Sequence, residues 1–100
     1  GVLYREVFHQ AEKEFSAYNF EYANTDNLFK MFDMLELEAK SLVEKKLSLP
    51  AYDQCLKASH VFNILDARGV ISVAQRAGYI ARIRDITKAV AESWLSSQTD

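Results

Sequence analysis

The sequence predicts an all-α protein, an antiparallel bundle of about four helices. Three observations predict it. Only three glycines and one proline occur in 100 residues, too few turn formers for a β-rich fold. Apolar residues recur at steps of three and four through four long segments, the spacing of one helix face. The connector before Pro50 is short, which sets consecutive helices side by side and antiparallel. Residues 1–100 read as a single helical domain, since the length suits about one domain. At 49% apolar residues, the composition supplies a core.

The first helix is expected over about 4–22. Tyr4, Phe8, Ala11, Phe15, Tyr18 and Tyr22 form its stripe. So aromatic a face is expected to cover a large area of a neighbour. Asn24-Thr25-Asp26 breaks the pattern with three good N-cap residues. The second helix follows over about 26–46, with Leu28, Met31/Phe32, Leu35, Ala39 and Leu42/Val43 on its stripe. Glu36 and Lys40 are spaced for an i,i+4 ion pair worth about 0.3 kcal/mol. Lys45 and Lys46 suit the negative end of the helix dipole.

The third helix, over about 50–67, is the one the others are expected to gather around. Pro50 fits a first helical position. Ten of the 18 residues from Pro50 to Ala67 are apolar. Only Asp53, Lys57 and His60 share a polar strip, and a helix like that is packed on several sides. Gly69 is placed to adopt a left-handed conformation after Arg68 and end the helix. Ser72 and Gln75 then have capping-box spacing. The fourth helix runs over about 72–95, with Tyr79, Ile83, Ile86, Val90 and Trp94 on its stripe. Residues 96–100 lack an apolar anchor and are expected to fray.

The net charge of −2 points by itself to no nucleic-acid or membrane partner. Residues 1–47 carry nine acidic and six basic side chains, net −3, while residues 68–95 carry Arg68, Arg76, Arg82, Arg84 and Lys88 against Asp85 and Glu92, net +3. A solvated helix face explains so mild an asymmetry. Cys55 is the only cysteine, so no internal disulfide or cysteine-based zinc site can form. A reducing, cytoplasmic setting fits that usage. No run of 18 apolar residues is present, and no basic-then-apolar signal segment opens the chain. It begins at Gly1 without Met, as a fragment or processed chain would.

Few residues suggest chemistry. His9 and Glu12 lie one turn apart, spaced for the edge of a metal site, but they read better as a solvated flank, as does His60. Asp66 is positioned to pair with Arg68 or Arg76. The serines have no histidine at a suggestive spacing, and Ser72 is a cap. The glycines, at 1, 69 and 78, form no phosphate loop. The sequence therefore assigns no catalytic, cofactor-binding or metal-binding residue. The basic residues of the last helix are the best functional candidates. Arg76, Arg84 and Lys88 could meet an acidic partner surface or an RNA backbone. Arg76 and Arg84 stand about 80° apart on the helix, and Arg82 points elsewhere.

Several strings resemble a known family. They are Tyr18-Asn19-Phe20-Glu21, Leu49-Pro50-Ala51-Tyr52-Asp53-Gln54, Lys57-Ala58-Ser59-His60 and, above all, the run from Phe62 to Val73, FNILDARGVISV. In order and spacing they resemble the alpha subunit of the bacterial tetrameric glycyl-tRNA synthetase, from about Tyr4 to Trp94. The chain departs from that pattern at Ala11, where the family has Asn. It departs again over residues 74–80, where Gly78 replaces a second arginine.

The resemblance implies a class II aminoacyl-tRNA synthetase of the cytoplasm. Its parent subunit activates glycine with ATP and magnesium to glycyl-adenylate and passes glycine to tRNA(Gly). The resemblance also implies a heterotetramer of two alpha and two beta subunits. This segment is then the C-terminal helical domain. The alpha catalytic domain, with its ATP and glycine motifs, would lie upstream, and the domain's partners would be that catalytic domain, the beta subunit and tRNA. Alone it is expected to be inactive. The alternative reading is a freestanding helical interaction module with no enzyme attached.

Overall fold

A computed structural model describes residues 4–98. They form four α-helices and no strand: α1 (Tyr4–Ala17), continued by a π-helical segment (Tyr18–Tyr22), then α2 (Thr25–Glu44), α3 (Ser48–Ala67) and α4 (Val73–Gln98).

Each boundary has a local cause. Asn24 caps α2, its side chain accepting from the Asn27 amide at 3.0 Å. At the other end of α2 the Leu47 amide donates to the Leu42 carbonyl at 2.9 Å and the Lys46 amide to that of Val43 at 3.0 Å. This is a Schellman closure. Its left-handed position is filled by Lys46, at φ 62°, rather than by glycine. The next helix starts at Ser48, so Pro50 stands third rather than first. The displacement costs nothing, because first-turn amides have no partner within the helix. After Ala67, Gly69 takes φ 71°. Ser72 and Gln75 close the capping box at 2.9 and 3.1 Å. No Gly or Pro follows Leu95, and α4 runs on to Gln98, with Ser97 Oγ donating to the Trp94 carbonyl at 2.7 Å.

The central helix is α3. It contributes eight buried residues, against three from α2 and two from α4. Leu28 and Phe32 pack on Ala58, Val61, Phe62, Ile64 and Leu65, with Tyr79, Ile80 and Ile83 closing that layer. A second layer joins Ala39, Ala51, Cys55, Ile86 and Val90. The start of α2 thus meets the end of α3 and the start of α4, so α3 runs antiparallel to both neighbours. Full burial of a side chain such as Phe32 contributes about 2–3 kcal/mol.

The first helix stands apart. None of residues 5–17 is buried, the side chain of Tyr4 lying outside the described part, and α1 approaches none of α2, α3 and α4. Only the π-helical segment touches α3. Its last turn is closed by the Ala23 amide donating to the Tyr18 carbonyl at 2.7 Å. Ala23 is buried in the first layer, and Arg68 Nη1 donates to its carbonyl at 2.6 Å. That grip fixes the direction in which α1 leaves the body. Hence α2 and α4 gather on α3, while the aromatic stripe of the first helix lies open. Phe15 is 68% exposed and Tyr22 76%.

Candidate functional site

The basic residues of α4 fall into three different settings. Arg76 lies in the first turn, where its Nε donates to Asp66 Oδ2 at 3.3 Å. It ties the start of α4 to the end of α3, with both side chains partly in water. Arg84 and Lys88 lie one turn apart on the outer face. Both are exposed, and neither forms an ion pair among the described residues. The structure therefore separates Arg76 from the other two.

Arg82 occupies the third setting, and its importance was not visible from spacing. It points at α2. Its Nε and Nη2 donate to the two Glu36 oxygens at 2.9 and 2.7 Å, and Nη2 also donates to Asp33 Oδ1 at 2.8 Å. The guanidinium carbon lies 4.7 Å from the centre of the Phe32 ring and 5.0 Å from that of Tyr79. Those rings meet edge to face, 4.8 Å between centroids. Hydrogen bonding to Arg82 holds the Glu36 carboxyl below its ordinary range, although burial pushes it up. The same bonds push the Arg82 guanidinium further up. Glu36 is thus committed to Arg82 rather than to Lys40, because a two-pronged guanidinium outcompetes a single flexible ammonium. The signal that could have revealed this is the phase of the helix: Arg82 lies one turn from both Tyr79 and Ile86, on the packed side.

The remaining candidates stay dispersed. His9, Glu12 and His60 are exposed on α1 and α3. Asp53 and Lys57 form an i,i+4 pair at 3.1 Å beside His60. Among the described residues no three His, Cys, Asp or Glu gather as a metal site would need, and no helix is long and apolar enough to cross a membrane. Besides Arg84 and Lys88, the surface offers a second kind of contact, the apolar side chains of the arm formed by α1 and the π-helical segment. Val7, Phe15, Phe20 and Tyr22 are all more than half exposed. Such a surface offers apolar and cationic contacts.

Compared with known protein families, the chain matches the family model described as glycyl-tRNA synthetase alpha subunit over residues 1–99.

Proposed function

The chain belongs to the glycyl-tRNA synthetase alpha subunit family, and from that premise we propose that it is the helical domain that positions the rest of the enzyme. The family's work is charging tRNA with glycine, a ligase reaction. In this reading the parent is a class II synthetase. It activates glycine with ATP and magnesium and acts as a heterotetramer of alpha and beta subunits in the cytoplasm. The reacting groups lie outside residues 1–100. Among the described residues the carboxylates are scattered or paired with cations, and the glycines of the sequence form no phosphate loop, which supports placing ATP and magnesium outside this segment. No step of the reaction is therefore assigned to its side chains.

The observation that carries the reading is surface left over from folding. The arm presents Val7, Phe15, Phe20 and Tyr22 to water. Large exposed apolar groups of this kind mark contact with another domain or chain. On α4, Arg84 and Lys88 have no ion pair among the described residues, on a chain of net charge −2. They suit an acidic surface of the beta subunit or the backbone of tRNA(Gly). Arg76, held by Asp66, contributes less.

The test uses the whole enzyme. Charge reversal by Arg84→Glu with Lys88→Glu is expected to weaken alpha–beta association or raise KM for tRNA about tenfold or more, with kcat for adenylate formation unchanged. Unchanged assembly and tRNA KM would refute the assignment to these two residues. The 100-residue chain alone is expected to show no glycine-dependent ATP–pyrophosphate exchange.

A further inference from the structure

An apolar groove runs along the seam of α3 and α4, on a face that neither α2 nor the arm covers. It encloses about 350 Å³. Leu49, Tyr52 and Leu56 form one wall, and Thr87, Ala91 and Trp94 the other. Leu49 is 68% exposed and Leu56 54%, so folding of this chain leaves the groove open. From Leu49 to Ser59 the wall rises through ten residue steps, about 15 Å at 1.5 Å each.

We infer that this groove receives an amphipathic helix of a partner protein, one carrying acidic side chains along one flank. The inference rests on the reading that a partner subunit docks on this domain, and it specifies where and by what chemistry. Four observations select the occupant. First, most of the lining is apolar, and the Thr87 hydroxyl within it is already engaged. Thr87 Oγ1 donates to the Ile83 carbonyl at 2.8 Å and lies 3.4 Å from Cys55 Sγ. The groove therefore recognises apolar side chains rather than a polar metabolite. Second, the described residues contain no strand, so no sheet edge is available to pair with an extended peptide. Third, α2 fills one side of the α3–α4 seam, and a helix laid in the other side completes a four-helix arrangement by the same packing. Fourth, charge sets the sign of the flank. At 100° per residue, Arg84 and Lys88 fall on the strip of α4 just outside Thr87 and Ala91. Neither has an ion pair among the described residues, whereas Lys57 on the α3 side is neutralised by Asp53. The rim is thus net basic and complements acidic residues. Two cations are few for following a nucleic-acid backbone, where each neutralised phosphate adds only about one unit of salt dependence. That favours protein over RNA.

Trp94 is the chain's only tryptophan and serves as a built-in reporter of the groove. The chain is labelled with 5-fluorotryptophan, and its fluorine resonance is followed as recombinant beta subunit is added. The resonance is expected to shift on binding. Leu56→Glu is expected to weaken binding at least tenfold, as is Arg84→Glu with Lys88→Glu. Leu37→Glu, on the exposed side of α2, is expected to leave binding unchanged. Circular dichroism confirms that each variant is folded. If beta binds but the Trp94 resonance does not move, or Leu56→Glu binds normally, the groove assignment is overturned while the partner reading stands. If beta does not bind the chain at all, both fall. A shift produced instead by tRNA, or by the chain's own concentration, would give the groove to RNA or to a second copy and overturn the inference.

Discussion

The Glu36 side chain is only 12% exposed, and its charge is tolerated there because Arg82 satisfies both of its oxygens. Removing one partner of a buried pair strands the other. Arg82 is about a third exposed, so solvent screening reduces the cost. Arg82→Met is expected to destabilise the chain by roughly 1–2 kcal/mol, measured by urea denaturation. The pH dependence follows from the direction of the Glu36 shift. A carboxylate held low in the folded state contributes stability that is fully present above its unfolded pKa, about 4.3, and is lost as pH falls through the folded value. The gap between wild type and Arg82→Met should therefore be widest near pH 6–7 and close toward pH 3. A second residue-scale prediction concerns Lys46, which bears the steric cost of a left-handed conformation. That cost is about 1–2 kcal/mol for a residue with a Cβ, less the extra chain entropy of glycine. Lys46→Gly is expected to stabilise the chain by about 0.5–1 kcal/mol and raise its Tm by a few degrees.

At the scale of elements, legibility tracked how much of a signal was local. Caps and closures are carried by adjacent residues, so Gly69 and the Ser72/Gln75 pair could be placed from spacing alone, while the start of α2 was narrowed to Asn24, Thr25 or Asp26 before the structure chose Asn24. The dominance of α3 was also legible, because apolar residues spread round most of its circumference. The arm was harder. Its stripe reads as a packed face, and periodicity cannot say whether the neighbour lies within the same chain. Nor does composition announce the π-helical turn at Tyr18–Tyr22, which depends on burying Ala23 and offering its carbonyl to Arg68, 45 residues away. The arm therefore contributes nothing to the cores. A chain lacking residues 1–17 is expected to unfold in urea with a stability within about 0.5 kcal/mol of the full chain. In hydrogen exchange, the amides of α1 should lose protection long before those of α3.

At the scale of the molecule, the shape is extended. The radius of gyration is 16.6 Å and the principal extents are 53 × 40 × 17 Å, where a compact chain of this length has a radius near 13 Å. The excess comes from the arm. Small-angle scattering of the chain at low concentration is expected to return the larger radius, and a value near 13 Å would mean that the arm folds back. Of the candidate surface, Arg84 and Lys88 were legible as exposed cations. The pairing of Arg76 with Asp66 was one of two expected from spacing, whereas the engagement of Arg82 with Asp33 and Glu36 depends on how α4 sits against α2. Reversing charge at Arg84 and Lys88 should alter stability by less than about 0.5 kcal/mol, so that any loss of assembly reports on contact rather than folding.

Ala39 and Ala51, facing one another across α2 and α3, are both 0% exposed. Two methyl groups act there as the spacer between the helices, and nothing bulkier would let the axes come so near. Ala39 stands one turn beyond Glu36 on α2, so a bulkier side chain there would push α2 outward beside the turn that meets Arg82 and loosen that contact.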